Sequence, residues 1–391
     1  MKKSIFTKIL CVMVAIASTF LFAGCGKEKD MTIKLGVSGP LTGDAAIYGQ
    51  AVKNGAQLAI DEINAAGGLD GMKFSFDMLD DMHNTTKVEN NYLELVDTKK
   101  VQISLGCVTS APCLIFKNLA KEDNMFIMTP SATNDDVYKD ASNVYQMCFS
   151  DNGQGTAAAD FIKTKEEYKN CKVGVFYKTD DVYSKGIYEQ FKARYETLAD
   201  WNSVVVTSFT EDDTNFQASI NSLKNCDFIF MPIYYQKASI FMQQAQGTIA
   251  DDAVFFGCDG FDGIAGHLGD DLNNIAQKIA FLSHFDSNAT TGKPGDFVTK
   301  YTETYGADTL NQFGASAYDC VYAIFEALKV AKENGKNFDG STKPSAMCTI
   351  LTEVLQNGTF TFTGVTGENI KWNANGTVDK LPLEYEVKPA N

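Results

Sequence analysis

From Thr32 onward, short apolar runs alternate with longer stretches of helical periodicity. Ile33-Lys34-Leu35-Gly36-Val37 reads as a strand closed by Ser38-Gly39-Pro40. Over 48–66, Val52, Ala56, Ala59 and Ile63 recur at steps of four, three and four, one face of a helix that Gly67-Gly68 ends. The pattern continues with strands over 74–79, 101–105 and 125–128 and helices over 85–96 and 112–122. It pauses at 141–155 and then restarts. Strands follow at 172–177, 204–206, 227–231 and 253–257, with helices over 184–199, 215–224 and from 236. Such alternation predicts parallel sheets wrapped by helices. Val173-Gly174-Val175-Phe176-Tyr177 echoes Lys34-Leu35-Gly36-Val37-Ser38, and each leads through Tyr183-x-x-Gly186 or Tyr48-Gly49 into a helix. Two doubly wound, Rossmann-like α/β lobes are therefore expected. Open parallel sheets hold ligands beyond the carboxyl ends of their strands, so two lobes facing each other there share one cleft.

The first residues bear on compartment. Lys2, Lys3 and Lys8 precede an apolar stretch, Ile9 to Gly24, that falls short of the ~20 residues a membrane span needs. A charged start and an apolar core of this length fit a secretory signal peptide. Leu21-Phe22-Ala23-Gly24-Cys25 resembles the lipobox of bacterial lipoproteins, with Phe22 where leucine is usual. That resemblance implies cleavage before Cys25, a diacylglycerol on its thiol, and a protein held on the outer face of the cytoplasmic membrane. The alternative is an ordinary signal peptide with an incidental cysteine. Residues 1–24 are read as signal and 25–30 as an anchored linker.

Removing 24 of the 391 residues leaves about 367, enough for two domains. The formal charge of −15 becomes about −18 once three signal lysines are removed. A surface so acidic repels phosphate backbones and anionic lipid heads, which argues against nucleic-acid binding. Of the ten cysteines, eight remain beyond Cys11 and Cys25, several in apolar strand-like runs such as Phe255-Phe256-Gly257-Cys258. Buried cysteine behaves as a small hydrophobe, and no spacing repeats as in a disulfide scaffold or zinc site. Cys107 and Cys113 are the pair best placed to bridge, or both are free.

Catalytic motifs are absent. There is no G-x-S-x-G elbow, P-loop, H-E-x-x-H or EF-hand loop, and His83, His267 and His284 lie far apart. No cofactor and no metal are expected. Polar groups just after strands are more informative. Gly106-Cys107-Val108-Thr109-Ser110 follows one strand and Thr129-Pro130-Ser131-Ala132-Thr133-Asn134 the next, placing hydroxyls and turn-held N–H groups at a sheet's carboxyl edge. Tyr234-Tyr235 and Asp259 follow two strands of the second half.

These segments, with Asn54-Gly55-Ala56, Ile63 to Gly68, Asp80-Asp81, Asp180 to Gly186 and Gly257-Cys258-Asp259-Gly260, carry a resemblance over the whole mature chain. The sequence is similar to the leucine/isoleucine/valine-binding receptors of ABC transporters, which have the type I periplasmic-binding-protein fold. The resemblance implies that Ser110 and Thr133 bind a ligand carboxylate, and that the Ser131 carbonyl and Thr133 hydroxyl take its ammonium opposite Asp259. Ala132 belongs to the same cradle. Tyr183 and Tyr234 or Tyr235 would close over the ligand, while Tyr48, Val108 and Phe313 would shape its side-chain pocket. Some relatives carry a disulfide at that pocket, where this chain has His83 and Thr109.

The resemblance further implies a monomer that closes on an amino acid, branched-chain or otherwise apolar, and delivers it to a membrane permease. It divides the chain into a first lobe of 31–149 plus 283–365 and a second of 150–282 plus a C-terminal return over 366–391. Two other classes stay open: a sensor of the same fold for an amide or other small solute, and an extracellular hydrolase using Ser110 or Cys107.

Overall fold

The computed structural model of the protein describes residues 30–387; the signal-like segment and Cys25 lie outside the described residues. Five parallel strands, β1 (Thr32–Gly39), β2 (Lys73–Asp80), β3 (Ile103–Cys107), β4 (Phe126–Thr129) and β5 (Val144–Gln146), form one sheet in the order β2-β1-β3-β4-β5. A second sheet contains β6 (Val173–Lys178), β7 (Val205–Phe209), β8 (Phe228–Met231), β9 (Val254–Gly257), β10 (Lys278–Ser283) and β11 (Leu383–Glu386). Its order is β11-β10-β9-β8-β6-β7, parallel except for β11 against β10. The central strands are buried on both faces, so they read as near-continuous apolar runs such as Phe228-Ile229-Phe230-Met231. The strand order reverses between β1 and β3 and between β6 and β8, and these switch points open the crevices where ligands sit.

The first half supplies helices α1 (Ala46–Ala65), α2 (Thr85–Leu93) and α3 (Ser110–Glu122). The second supplies α4 (Asp151–Thr164), α5 (Val182–Glu196), α6 (Gln217–Leu223), α7 (Tyr235–Ala245) and α8 (Ile264–Leu268). Three more follow: α9 (Gly292–Tyr305), α10 (Gln312–Glu333) and α11 (Pro344–Leu355). The face predicted for α1 is the one it buries: Val52, Ala56 and Ala59 are inaccessible and Ile63 nearly so. Gly67 and Gly68 end it with φ of +107° and +76°, a conformation only glycine adopts without cost. Side-chain caps start the helices that carry site residues. Ser150 accepts from Gly153 N–H at α4, Asp181 from Ser184 N–H at α5, and Asn311 from Phe313 and Gly314 N–H at α10.

The chain passes between the sheets three times. After β5 it enters α4 and the second sheet. After β10 it returns, since α10 packs along α1 and α11 against β3 and β4. The last passage comes later than the boundary expected at 366. Trp372 Nε1 donates to Gln146 O at 2.7 Å and Gln146 N–H to Gly376 O at 2.9 Å, so this stretch still belongs with β5. Pairing with the second sheet begins at Leu383.

Two features differ from the sequence pattern. The pause at 141–155 contains a strand, β5, only three residues long, and the start of α4. Strand β3 runs to Cys107 instead of ending at 105, because Gly106 (φ +70°) lets the strand bend and still pair with Ser38. All eight cysteines among the described residues are free thiols, seven of them buried.

Candidate ligand-binding site

The turns after β3 and β4 are stitched together by their own hydroxyls. Thr129 Oγ1 donates to Cys107 O at 3.1 Å and accepts from Ala132 N–H. Ser131 Oγ donates to Val108 O at 2.6 Å, and Ser110 Oγ accepts from Asn134 N–H at 3.3 Å. The Ala132 carbonyl takes the Tyr138 hydroxyl. Each hydroxyl turns a loop into a fixed arrangement of backbone groups at the carboxyl edge of the first sheet.

Opposite this edge stands Asp259, placed by the turn that ends β9. Only glycine fits at 257, where a Cβ would lie 2.2 Å from the Phe261 ring. The Asp259 N–H donates to Gln154 Oε1 at 2.9 Å, and the Tyr183 hydroxyl donates to Asp259 Oδ1 at 2.7 Å while accepting from Gly260 N–H. Burial pushes the Asp259 pKa up to about 7, and the bonds from Tyr183, Gln154 and Gly260 only partly offset it. Asp262 on the same turn is pushed up to about 6 by burial.

Aromatic rings close the space between. Tyr234 stacks on Tyr183 at 4.6 Å and 7°. Tyr48 meets Phe313 edge-on at 4.8 Å and Tyr235 at 5.2 Å, and its hydroxyl donates to Gly260 O at 2.5 Å, from one lobe to the other. Stacked and T-shaped pairs hold such a wall with few rotamers to freeze.

A small enclosed space remains, lined by Tyr48, Val108, Thr109, Ser131, Tyr183, Tyr234, Asp259, Gly260 and Phe313. Seven of these nine are residues expected from the sequence. Ser110, Ala132 and Thr133 lie one layer behind, buried in the stitched turns, and Tyr235 packs behind Tyr48. Gly260 was missed, and Thr109 was expected only as bordering the side-chain pocket; both are neighbours of expected residues on the same turns. His83 and Thr109 do meet, through an Nδ1···Oγ1 contact of 2.8 Å. His83 stands edge-on to Tyr234 at 5.4 Å, and burial holds its imidazole below the usual range. Burial pushes the Cys107 thiol well up, the opposite of what activates a nucleophile.

A larger cavity of about 760 Å³ lies away from the cleft, among α1, α9, α10 and residues 357–365. Its Glu62 already accepts from Lys300, Tyr318 and Tyr322, and its Asp319 from Val365 and Thr366.

A family model described as periplasmic binding protein matches residues 32–380. The Leu/Ile/Val-binding protein BraC3 of Rhizobium johnstonii is 29% identical over 231 residues, 58% of this chain and 61% of that protein. The match thus spans about three-fifths of the curated relative's length. The branched-chain amino acid substrate-binding protein LivJ from Streptococcus pneumoniae, solved with isoleucine, superposes with a TM-score of 0.76 and 28% identity. That superposition covers 92% of this chain and 100% of LivJ. A solute-binding protein from R. palustris, solved with benzoate, gives a TM-score of 0.75 at 18% identity over 91% and 93% of the two chains, a likeness of fold. With the model matched from β1 to residue 380 and both lobes in place, the chain belongs to the periplasmic binding protein family.

Proposed function

We propose that the protein is an extracytoplasmic receptor that captures an α-amino acid between its lobes and presents the closed complex to an ABC permease. The observation that carries this reading is the buried carboxylate of Asp259 facing the stitched Ser/Thr turns of β3 and β4 across the cleft. A zwitterion leaving water needs an acid for its ammonium and N–H or O–H donors for its carboxylate; on this reading Asp259 is the acid and the turns after β3 and β4 would supply the donors. Tyr48, Val108 and Phe313 offer an apolar wall to the side chain, in keeping with the ligands of the named relatives. Division into lobes at 149 and 282, with the last passage falling between residues 376 and 383 in place of the 365 expected, and lipid attachment at Cys25 belong to the same proposal. For the anchor, Cys25→Ala would release the protein from membranes into the medium.

The direct test is a thermal-shift screen of residues 27–391, refolded to strip carried ligand, against the common amino acids. Ligand at about 100 times Kd adds ~2.7 kcal/mol and raises Tm by several degrees. A shift with leucine, isoleucine, valine or phenylalanine supports the reading. No shift with any amino acid sinks it and directs the search to amides and organic acids.

A further inference from the structure

The cavity of about 760 Å³ outside the cleft has the size of a small-molecule site. Two helices turn one stripe each toward it. On α9 the stripe is Lys293, Asp296, Phe297 and Lys300, at i, i+3, i+4 and i+7; on α10 it is Tyr318, Tyr322 and Glu326, at i, i+4 and i+8. These three residues of α10 are only half-buried, on a helix whose other faces are largely covered. Phe297, Tyr318 and Tyr322 form a row, with successive ring centroids 4.9 and 4.8 Å apart. Residues 357–365 bring Phe360 to the same space, and this segment is tied down along its length. Asn357 Oδ1 accepts from Thr359 and Phe360 N–H, Lys293 Nζ donates to Thr363 O, and Asp319 accepts from Val365 and Thr366 N–H. The recess is therefore formed in advance of any occupant.

Glu62 of α1 stands against the row of rings. Its Oε2 accepts the hydroxyls of Tyr318 at 2.6 Å and Tyr322 at 2.7 Å, and its Oε1 accepts from Lys300 Nζ at 2.7 Å. The two tyrosines thus fix the carboxylate through one oxygen and leave the other to a cation. The cation now there is a lysine whose side chain is 52% exposed. So exposed an ion pair is weak, and the long stem of lysine lets its ammonium move out into water. The rest of the lining favours positive charge: four carboxylates stand against two ammonium groups, and Asp296 has no hydrogen bond or ion pair among the described residues. A carboxylate beside aromatic rings suits a cation with an apolar body, which gains a charge-assisted bond at one end and ring contact along the other. We propose that this cavity is a second binding site for a small organic cation, a primary ammonium carried on an aromatic body. The ligand ammonium replaces Lys300 on Glu62 Oε1, and its body lies along Phe297, Tyr318 and Tyr322 with Phe360 beside it. Lys300 is then a competitor built into the site. The cavity and the cleft share no lining residue, so this site does not depend on the amino-acid reading.

The test is calorimetry with tryptamine and with indole-3-propionate, which carries a carboxylate in place of the ammonium on the same indole and arm. Wild type is expected to bind tryptamine more tightly than indole-3-propionate by about tenfold or more. Lys300→Ala removes the competitor and should tighten tryptamine binding by about threefold, a gain that misfolding cannot produce. Glu62→Gln should weaken it by about tenfold and Phe360→Ala by about threefold. Asp259→Asn, which alters the cleft, should leave it within about twofold. Lys300→Ala binding tryptamine no better than wild type would overturn the proposal, and it decides the matter even where Glu62→Gln fails to fold. Unchanged affinity in a folded Glu62→Gln, equal binding of the two indoles, or no binding of tryptamine by wild type and Lys300→Ala would overturn it too. Loss of tryptamine binding in Asp259→Asn would put the cation in the cleft, which ends the second site and leaves the amino-acid reading standing.

Discussion

Asp259 is 2% exposed, and its pKa in the folded protein is about 7 against an ordinary value of 3.8. Between those two pH values the folded chain holds a proton that the unfolded chain has lost. Stability from this group is therefore greatest below pH 4 and declines as pH rises toward 7, by ~4 kcal/mol in all. Asp259→Asn removes the penalty, so the variant should gain more Tm over wild type at pH 8 than at pH 5 while losing its ligand. Equal gains at both pH values would mean that Asp259 is not the titrating group. Pairing with a ligand ammonium requires the ionised carboxylate, so affinity should fall as pH drops below 7, and binding at pH 6 should release a proton. Calorimetry in two buffers of unequal ionisation enthalpy reads that proton directly. Asp259, Tyr183, Tyr234 and Tyr48 were legible in the sequence because they follow strand ends or match a family pattern. Gln154, which accepts the Asp259 N–H, was not. It sits in the pause at 141–155, where a glutamine in Asn152-Gly153-Gln154-Gly155 reads as an ordinary polar position.

At the scale of elements, the sequence showed the periodic pieces and hid the ones made by distant partners. The α1 face was visible as steps of four, three and four. Strand β5 was not, since three residues carry no period and its edge groups bond to Trp372 and Gly376, more than 220 positions away. The packing of α1 on α10 was equally hidden. It depends on Gly55, where a Cβ would lie 2.0 Å from Gly314 O, and Gly314 in turn sits beside Ala51 O. Backbone cannot yield as a flexible side chain can. Gly55→Ala should therefore destabilise the protein by about 2–3 kcal/mol despite its better helix propensity, measured by urea unfolding. Phe313 adjoins Gly314 at the start of α10, so the same substitution should also weaken ligand binding by displacing one wall of the cleft. Unchanged stability would show that the two helices can separate freely.

Across the whole molecule, the lobes meet through a few directional bonds. Tyr48 Oη reaches Gly260 O, Asn134 Nδ2 reaches Val182 O, and Gln312 N–H reaches Asp262 Oδ2 at 2.9 Å. Each joins a group of the first-sheet side to one of the second, so under the proposed closure each would form only when the cleft is shut. Closure is then a balance between these bonds plus ligand contacts and the hydration regained on opening. Gly186 tests that balance cleanly. It is the fifth residue of α5, just past the first turn, where alanine is favoured over glycine by up to ~1 kcal/mol. Its added methyl would meet Asn134 Nδ2 at 2.9 Å across the cleft, and Asp151 Oδ2, at 3.0 Å on its own side, must give by a few tenths of an ångström for the helix to gain. Stability and affinity should therefore move in opposite directions in Gly186→Ala. Tm without ligand should hold or rise, while affinity falls tenfold or more and the radius of gyration with ligand, by small-angle X-ray scattering, stays nearer the open value. If affinity and closure match wild type, the contact between α5 and Asn134 does not limit closure, and the lobes shut through the Tyr48 and Asp262 bonds alone.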